Sequence, residues 1–340
     1  MTPRLLTAIP KLMTLRRRAL LALVTTALLP RAARAQRAPA PHRIGWLSTE
    51  QQPDPFLDGF REGLRKHGYV EGQNVILELR YPARNLEALQ AAVTDLMQSR
   101  VAFIVASGPA IRVLKAAKDV SVLFVVSGDP VELGVAKSLA HPGGNFTGST
   151  FLSLEIAGKR IELLKQTVPE LRTLAALSNT DHPGESSERR ATEAAAQALG
   201  ITLTYVPFRQ FPFDTTGELD GALDAVRRAR PNAMVVFPEG ATMVNRVKIA
   251  QFAVAQRLPS MFGWSEYCDA GGLMSYGANQ RAAYVRLAAF ADKLLHGAKP
   301  ADLPIEQPTR FELVLNLGTA KRLGITIPQS IVLRTDRLIE

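Results

Sequence analysis

The chain has one cysteine, Cys268, in 340 residues, so neither a disulfide framework nor a cysteine-rich zinc site can be built from it. Cys268 stands among Ser265, Glu266 and Asp269 with no neighbouring histidine, which reads as a packed thiol rather than a nucleophile. The glycine loops that cradle phosphates are also missing: there is no G-x-x-x-x-G-K-[ST] and no G-x-G-x-x-G. No H-E-x-x-H and no G-x-S-x-G elbow is present either. The five histidines (His42, His67, His141, His182, His296) are scattered, mostly beside Pro, Gly or charged residues, as turn and surface histidines are. No cofactor, no metal and no catalytic residue is expected from this inventory, and the chain reads as a non-enzyme.

Long apolar runs are absent too, since no stretch reaches the roughly 18 residues of a membrane-crossing helix. The formal charge of +10 is unevenly spread. Residues 1–35 hold Arg4, Lys11, Arg16, Arg17, Arg18, Arg31 and Arg34 and no acidic residue, which leaves 34 basic and 31 acidic residues in the rest. A body so close to neutral excludes a dedicated nucleic-acid surface. The basic start has another reading. Arg16 to Arg18 precede an apolar run over 19–29, about 16 Å long as a helix and too short to span a bilayer. Ala33-Arg34-Ala35 follows as a small-x-small cleavage site, so 1–35 is expected to be a secretory signal, by the general or the twin-arginine route, with Met13 an alternative start. A soluble periplasmic product follows.

From Arg43 onward, short β-branched runs alternate with longer segments of helical period, which implies βαβ units and an α/β fold with mainly parallel sheets. Strands are predicted at 44–48, 75–81, 101–106 and 122–126, with helical patterns through Phe56, Phe60, Leu64 and then Leu86, Leu89, Val93, Leu96. The rhythm repeats with strands at 173–177, 202–206, 233–237 and 260–263 and helices over 187–199, 216–229 and 241–256. Two such halves make a protein of two Rossmann-like lobes. The glycine-rich segments 142–148 and 271–277 are either surface turns or the two places where the chain passes between lobes. With crossings there, the first lobe comprises 42–148 plus 278–340 and the second 149–277, joined by a multi-segment hinge. A helix is expected at 281–295, a strand at 311–315, and an irregular tail from Ile327.

In open α/β sheets ligands bind beyond the carboxyl ends of the strands, where loops carry polar groups. Those ends read Ser48-Thr49, Ser107-Gly108-Pro109, Ser127-Gly128-Asp129, Ser178-Asn179 and Pro238-Glu239-Gly240. The candidate ligand-binding set is therefore Ser48, Ser107, Gly108, Pro109, Ser127, Asp129, Asn179 and Glu239, with Trp264 and Tyr276 as aromatic covers. Ser107 and Gly108 would take a carboxylate and Glu239 an ammonium. Taken singly, each of these residues also reads as a helix cap or turn residue.

The run Phe56 to Val75 (FLDGFREGLRKHGYVEGQNV) resembles the opening of the ABC-transporter substrate-binding proteins related to the tryptophan-binding lipoproteins. So do Gly128–Val131 (GDPV), Pro142–Gly148 (PGGNFTG), Gly271–Gly277 (GGLMSYG), Gly297–Pro308 (GAKPADLPIEQP) and Phe311–Asn316 (FELVLN), in the same order and spacing. That resemblance implies a type I periplasmic-binding-protein fold with a ligand held between the lobes. It also implies an ABC permease and its ATPase as partners, with membrane contact only through the permease and a monomeric binding protein. The lipid-carrying cysteine of the lipoprotein members is absent. The expected function is capture of a small polar ligand, an amino acid or aromatic compound among the candidates, by hinge closure. An exported ligand sensor and an exported hydrolase are the alternatives.

Overall fold

The computed structural model describes residues 40–49, 54–82, 85–108, 110–152, 154–209 and 216–340. The expected signal segment 1–35 and Pro109 lie outside the described residues.

The elements in chain order are β1 (His42–Leu47), α1 (Pro55–Lys66), β2 (Val75–Arg80), α2 (Leu86–Gln98), β3 (Phe103–Ser107), α3 (Ala110–Leu114), β4 (Ser121–Val126) and β5 (Phe146–Thr150). Next come α4 (Glu155–Thr167), β6 (Thr173–Asn179), α5 (Glu185–Ala198), β7 (Thr202–Phe208), α6 (Thr216–Ala229), β8 (Ala233–Val236), α7 (Gly240–Val244), α8 (Arg246–Ala255) and β9 (Ser260–Phe262). The chain ends with α9 (Glu266–Asp269), β10 (Met274–Gly277), α10 (Gln280–Leu295), β11 (Glu312–Asn316), α11 (Leu317–Leu323), α12 (Gln329–Val332) and β12 (Arg337–Ile339).

Two sheets result. The first has the order β2-β1-β3-β4-β5 and is parallel throughout. The second has the order β12-β11-β10-β9-β8-β6-β7 and is parallel except where β11 runs antiparallel to β10. Strands β3, β4 and β8 are apolar and buried almost end to end, as expected of parallel strands covered on both faces. In each sheet the strand order reverses once, between β1 and β3 and between β6 and β8. Those reversals open a crevice at the strands' carboxyl ends.

The chain passes between the sheets three times rather than twice. It leaves the first sheet after Thr150, and returns after Gly277 into α10, which packs on α1. The third passage follows residues 303–307, which lie along β5: Thr147 Oγ1 donates to Leu303 O (2.8 Å), Thr150 N to Glu306 O (2.9 Å) and Glu306 N to Gly148 O (2.9 Å). The chain then enters the second sheet as β11.

This corrects the boundaries expected from the sequence. Residues 142–148 are not a linker, because 146–150 form the edge strand β5, and 274–277 form β10. Residues 278–340 do not all complete the first half. Helix α10 belongs there, but Leu313, Val314 and Leu315 are buried in the second sheet beside Met274, and β12 pairs with β11.

Two features hold α10 against the first half. Gly63 lets the helices meet backbone to side chain, since a Cβ there would stand 2.2 Å from Val285 O and 2.6 Å from Ala288 Cβ. Tyr284 stacks on Phe56 at 5.0 Å and leans on Trp46 at 5.6 Å. Asp54 ties this cluster down: Oδ1 accepts the α1 amides of Phe56 (3.0 Å) and Leu57 (3.2 Å), and Oδ2 accepts Trp46 Nε1 (3.0 Å) and Tyr81 OH (3.1 Å). In the second half, buried Arg160 on α4 pairs with Glu188 at 2.8 Å and donates from Nε to Tyr276 O (2.9 Å) at the end of β10. Burial pushes the guanidinium down and the carboxyl up from their ordinary values, and their mutual attraction opposes both shifts.

Candidate functional site

The crevice between the two sets of strand ends contains a cavity of about 140 Å³, comparable to one that admits a benzene-sized guest. Its first wall carries Thr49 after β1, Ser107 and Gly108 after β3, Arg112 on α3 and Ser127 after β4. The opposite wall carries Asn179, Asp181 and His182 after β6 and Glu239 after β8. Phe56, Phe151, Trp264 and Tyr284 supply aromatic surface, with Phe151 edge-on to Trp264 at 6.0 Å. One apolar cluster runs from Trp46 and Phe56 across Phe151 to Trp264 and Phe262, yet the cavity remains open beside it.

Of the residues singled out in the sequence, Ser107, Gly108, Ser127, Asn179, Glu239 and Trp264 meet in this cavity. Three others do not line it. Ser48 is buried at the end of β1, donating its amide to Arg80 O, and its neighbour Thr49 faces the cavity instead. Asp129 turns its Oδ1 back onto the amide of Val131 (2.7 Å), closing the turn after β4. Tyr276 packs on Phe311 at 6.0 Å, away from the crevice. Among the other aromatics, Trp46 and Tyr267 are core residues.

Glu239 is a buried carboxyl on the cavity wall. It is 3 % exposed and caps α7, accepting from Ala241 N (2.7 Å), Thr242 N (2.5 Å) and Asn179 Nδ2 (3.3 Å). Burial raises its pKa to about 7 in spite of these donors. A carboxylate in that state gains from any cation brought next to it.

His182, which the sequence placed with the surface histidines, sits instead at the mouth. Its Nε2 lies 2.8 Å from Ser127 Oγ on the other wall. Withdrawal from water, with the positive charge of Arg112 nearby, pushes the imidazole down to about 3. The Ser127–His182 pair is a contact that spans the mouth. Two more bonds cross at the same place. Asp129 N donates to Pro183 O (3.2 Å), and the Arg112 guanidinium donates to Asp181 O. Gly128 makes the approach possible, because a Cβ there would stand 2.5 Å from Pro183 O. Thr150 Oγ1 donates to Gly128 O (2.8 Å) and fixes the turn from behind.

Sequence reasoning missed Arg112, Phe151, His182, Gln280 and Tyr284. Phe151 and Gln280 follow the first and second passages between sheets directly, which is the signal that could have found them. His182 needed its partner 55 residues away to be recognised.

Among the described residues no group of His, Cys, Asp and Glu could hold a metal ion. No helix among them is long and apolar enough to cross a membrane.

Two mainly parallel sheets with helices, facing each other across a ligand-sized crevice, define the type I periplasmic-binding-protein architecture. A domain from Streptococcus pneumonia, solved in complex with L-Trp, superposes with a TM-score of 0.80 at 24% identity, covering 88% of this chain and 100% of that one. A LacI family transcriptional regulator from Bifidobacterium animalis shares the fold more distantly, with a TM-score of 0.55 at 13% identity over 80% of this chain and 95% of that one. By sequence the chain is 20% identical over 285 residues to a tyrosine-binding protein of Clostridioides difficile, covering 83% of this chain and 80% of that protein. Residues 51–339 match the family described as ABC transporter substrate binding protein, and the chain belongs to that family. It is thus a non-catalytic substrate-binding protein of an ABC transporter.

Proposed function

We propose that this protein is exported, captures an aromatic amino acid in the crevice by closing over it, and delivers it unaltered to an ABC permease and its ATPase. Residues 1–35 would serve as the export signal. The observation that carries the ligand class is the division of the cavity wall: a buried carboxylate in need of a cation at Glu239, hydroxyls and a guanidinium opposite, and four aromatic rings beside them. The ligand's ammonium would sit against Glu239 and Asn179. Its carboxylate would take hydrogen bonds from Ser107, Thr49 or Ser127 and the charge of Arg112. Phe56, Phe151, Trp264 and Tyr284 would enclose its ring. Relatives named for tyrosine and for a complex with L-Trp accord with this class.

Closure would be stabilised by the three bonds at the mouth, and the ligand shifts the equilibrium only by binding the closed form better. Calorimetric titration of the purified mature chain with L-tyrosine, L-tryptophan and L-phenylalanine tests the reading. Saturable one-to-one binding of at least one is expected, with Glu239→Ala weakening it by well over ~10-fold, because the ligand's buried ammonium loses its counter-charge. Wild-type affinity in the variant would remove the ammonium assignment.

A further inference from the structure

Gln280 opens α10 immediately after the second passage between sheets, with Asn279 capping the helix through Ala282 N (2.8 Å). It lines the cavity and is only 8 % exposed, yet its amide nitrogen has no hydrogen-bond partner. A buried amide without a partner is costly, and native interiors rarely retain one. Among the described residues the other buried polar side-chain atoms in this condition are on Arg43, Glu266 and Ser275, none of which lines the cavity.

The surroundings say what the amide awaits. Tyr284 lies one helical turn along the same face of α10, also lines the cavity, and stacks on Phe56. The carboxylate, amide and imidazole groups of the cavity wall come from the second sheet's strand ends, whereas Gln280 stands with the aromatic residues of α1 and α10. With the ligand's ammonium at Glu239 and its carboxylate at the first wall's hydroxyls, a donor on the same helix face as Tyr284 would meet an acceptor atom carried on the ligand's ring. We infer that Gln280 reads a ring hydroxyl, so that the crevice selects a hydroxyphenyl side chain over an unsubstituted phenyl one.

This rests on the aromatic amino-acid reading and sharpens it. Phenylalanine would fill the same space and leave the amide unpaired. An indole N–H, being a donor, would have to turn the amide round to meet its oxygen. Selectivity of this kind comes chiefly from the group left unsatisfied with the wrong ligand.

The test compares wild type with Gln280→Met, which keeps length and volume and removes the donor, in two measurements. The first is calorimetric titration with L-tyrosine and L-phenylalanine. Wild type is expected to prefer tyrosine by about 10-fold or more, and the variant to bring the two within about 2-fold, mainly by weakening tyrosine. The second is thermal unfolding without ligand, where the variant is expected to melt at or above wild type because an unpaired buried amide has been removed. An unchanged tyrosine-to-phenylalanine ratio in the variant overturns the assignment, as does a lower melting temperature, which would mean that the amide serves the fold. Equal affinity of wild type for the two ligands overturns the role of Gln280 alone. Failure of wild type to bind either one overturns the aromatic reading, and the ring-hydroxyl assignment with it.

Discussion

Lowering the pH should loosen the crevice through His182, and the size of the effect follows from the contact it makes. In the closed arrangement the ring touches Ser127 across the mouth and its pKa is pushed down to about 3. Opening returns it to water and to the ordinary histidine value of about 6.5. The closed form therefore holds the neutral ring and the open form gains the proton, so closure is intact above about pH 6.5 and is lost as pH falls below it. Between pH 7 and pH 5 the loss in ligand affinity from this group alone is on the order of 25-fold, and it changes little if the closed-state value lies anywhere well below 5. Glu239 faces the same space and shifts the other way, up to about 7, so without a paired ammonium it would favour closure as pH falls. The effect is isolated by measuring L-tyrosine affinity calorimetrically at pH 7 and pH 5 in wild type and in His182→Gln, whose amide reaches Ser127 but does not titrate. Both proteins share Glu239 and Arg112, so the wild type should lose on the order of 25 times more affinity than the variant. Parallel pH profiles in the two proteins would refute the reasoning.

Two further predictions concern the frame. Arg160→Met leaves Glu188 buried without its partner and should cost about 3 to 5 kcal/mol in urea unfolding, with much of the loss recovered when Glu188→Met is added; an additive double variant would show that the pair is not coupled. Gly63→Ala places a Cβ 2.2 Å from Val285 O and should destabilise the protein by about 2 kcal/mol or more by prising α10 from α1, read as a fall in melting temperature. An unchanged melting temperature there would mean that the two helices slide apart at little cost.

Much of the frame was legible because its signals are local. The apolar runs that became β1, β3, β4, β6 and β8 are bounded by helical periods, and Ser107, Ser127, Asn179 and Glu239 at the ends of β3, β4, β6 and β8 line the crevice for the topological reason that strand order reverses there, whereas Ser48 and Asp129 do not. What escaped was specified by distant partners. Strand β5 reads as punctuation because Thr147, Gly148 and Ser149 lack apolar bulk, and they are buried only because residues 303–306 satisfy their polar groups. The same segment made the third passage invisible, since a bond between Gly148 and Glu306 leaves no trace in spacing. The helix expected over 241–256 breaks at Asn245, whose side chain bonds back to Ala241 O (2.8 Å) and separates α7 from α8. In the crevice, Asp129 and Asn179 were equivalent as loop residues; the turn after β4 claimed one, and the other reached Glu239.

In the proposed complex the second wall of the crevice would hold the ammonium of an amino acid while aromatic side chains hold its ring. A crystal structure of the mature chain grown with L-tyrosine addresses this most directly. It should show the ligand's nitrogen within hydrogen-bonding distance of Glu239, and its ring between the aromatic side chains of α1, α10 and Trp264. A ligand seated elsewhere, or one with its carboxylate turned toward Glu239, would contradict it.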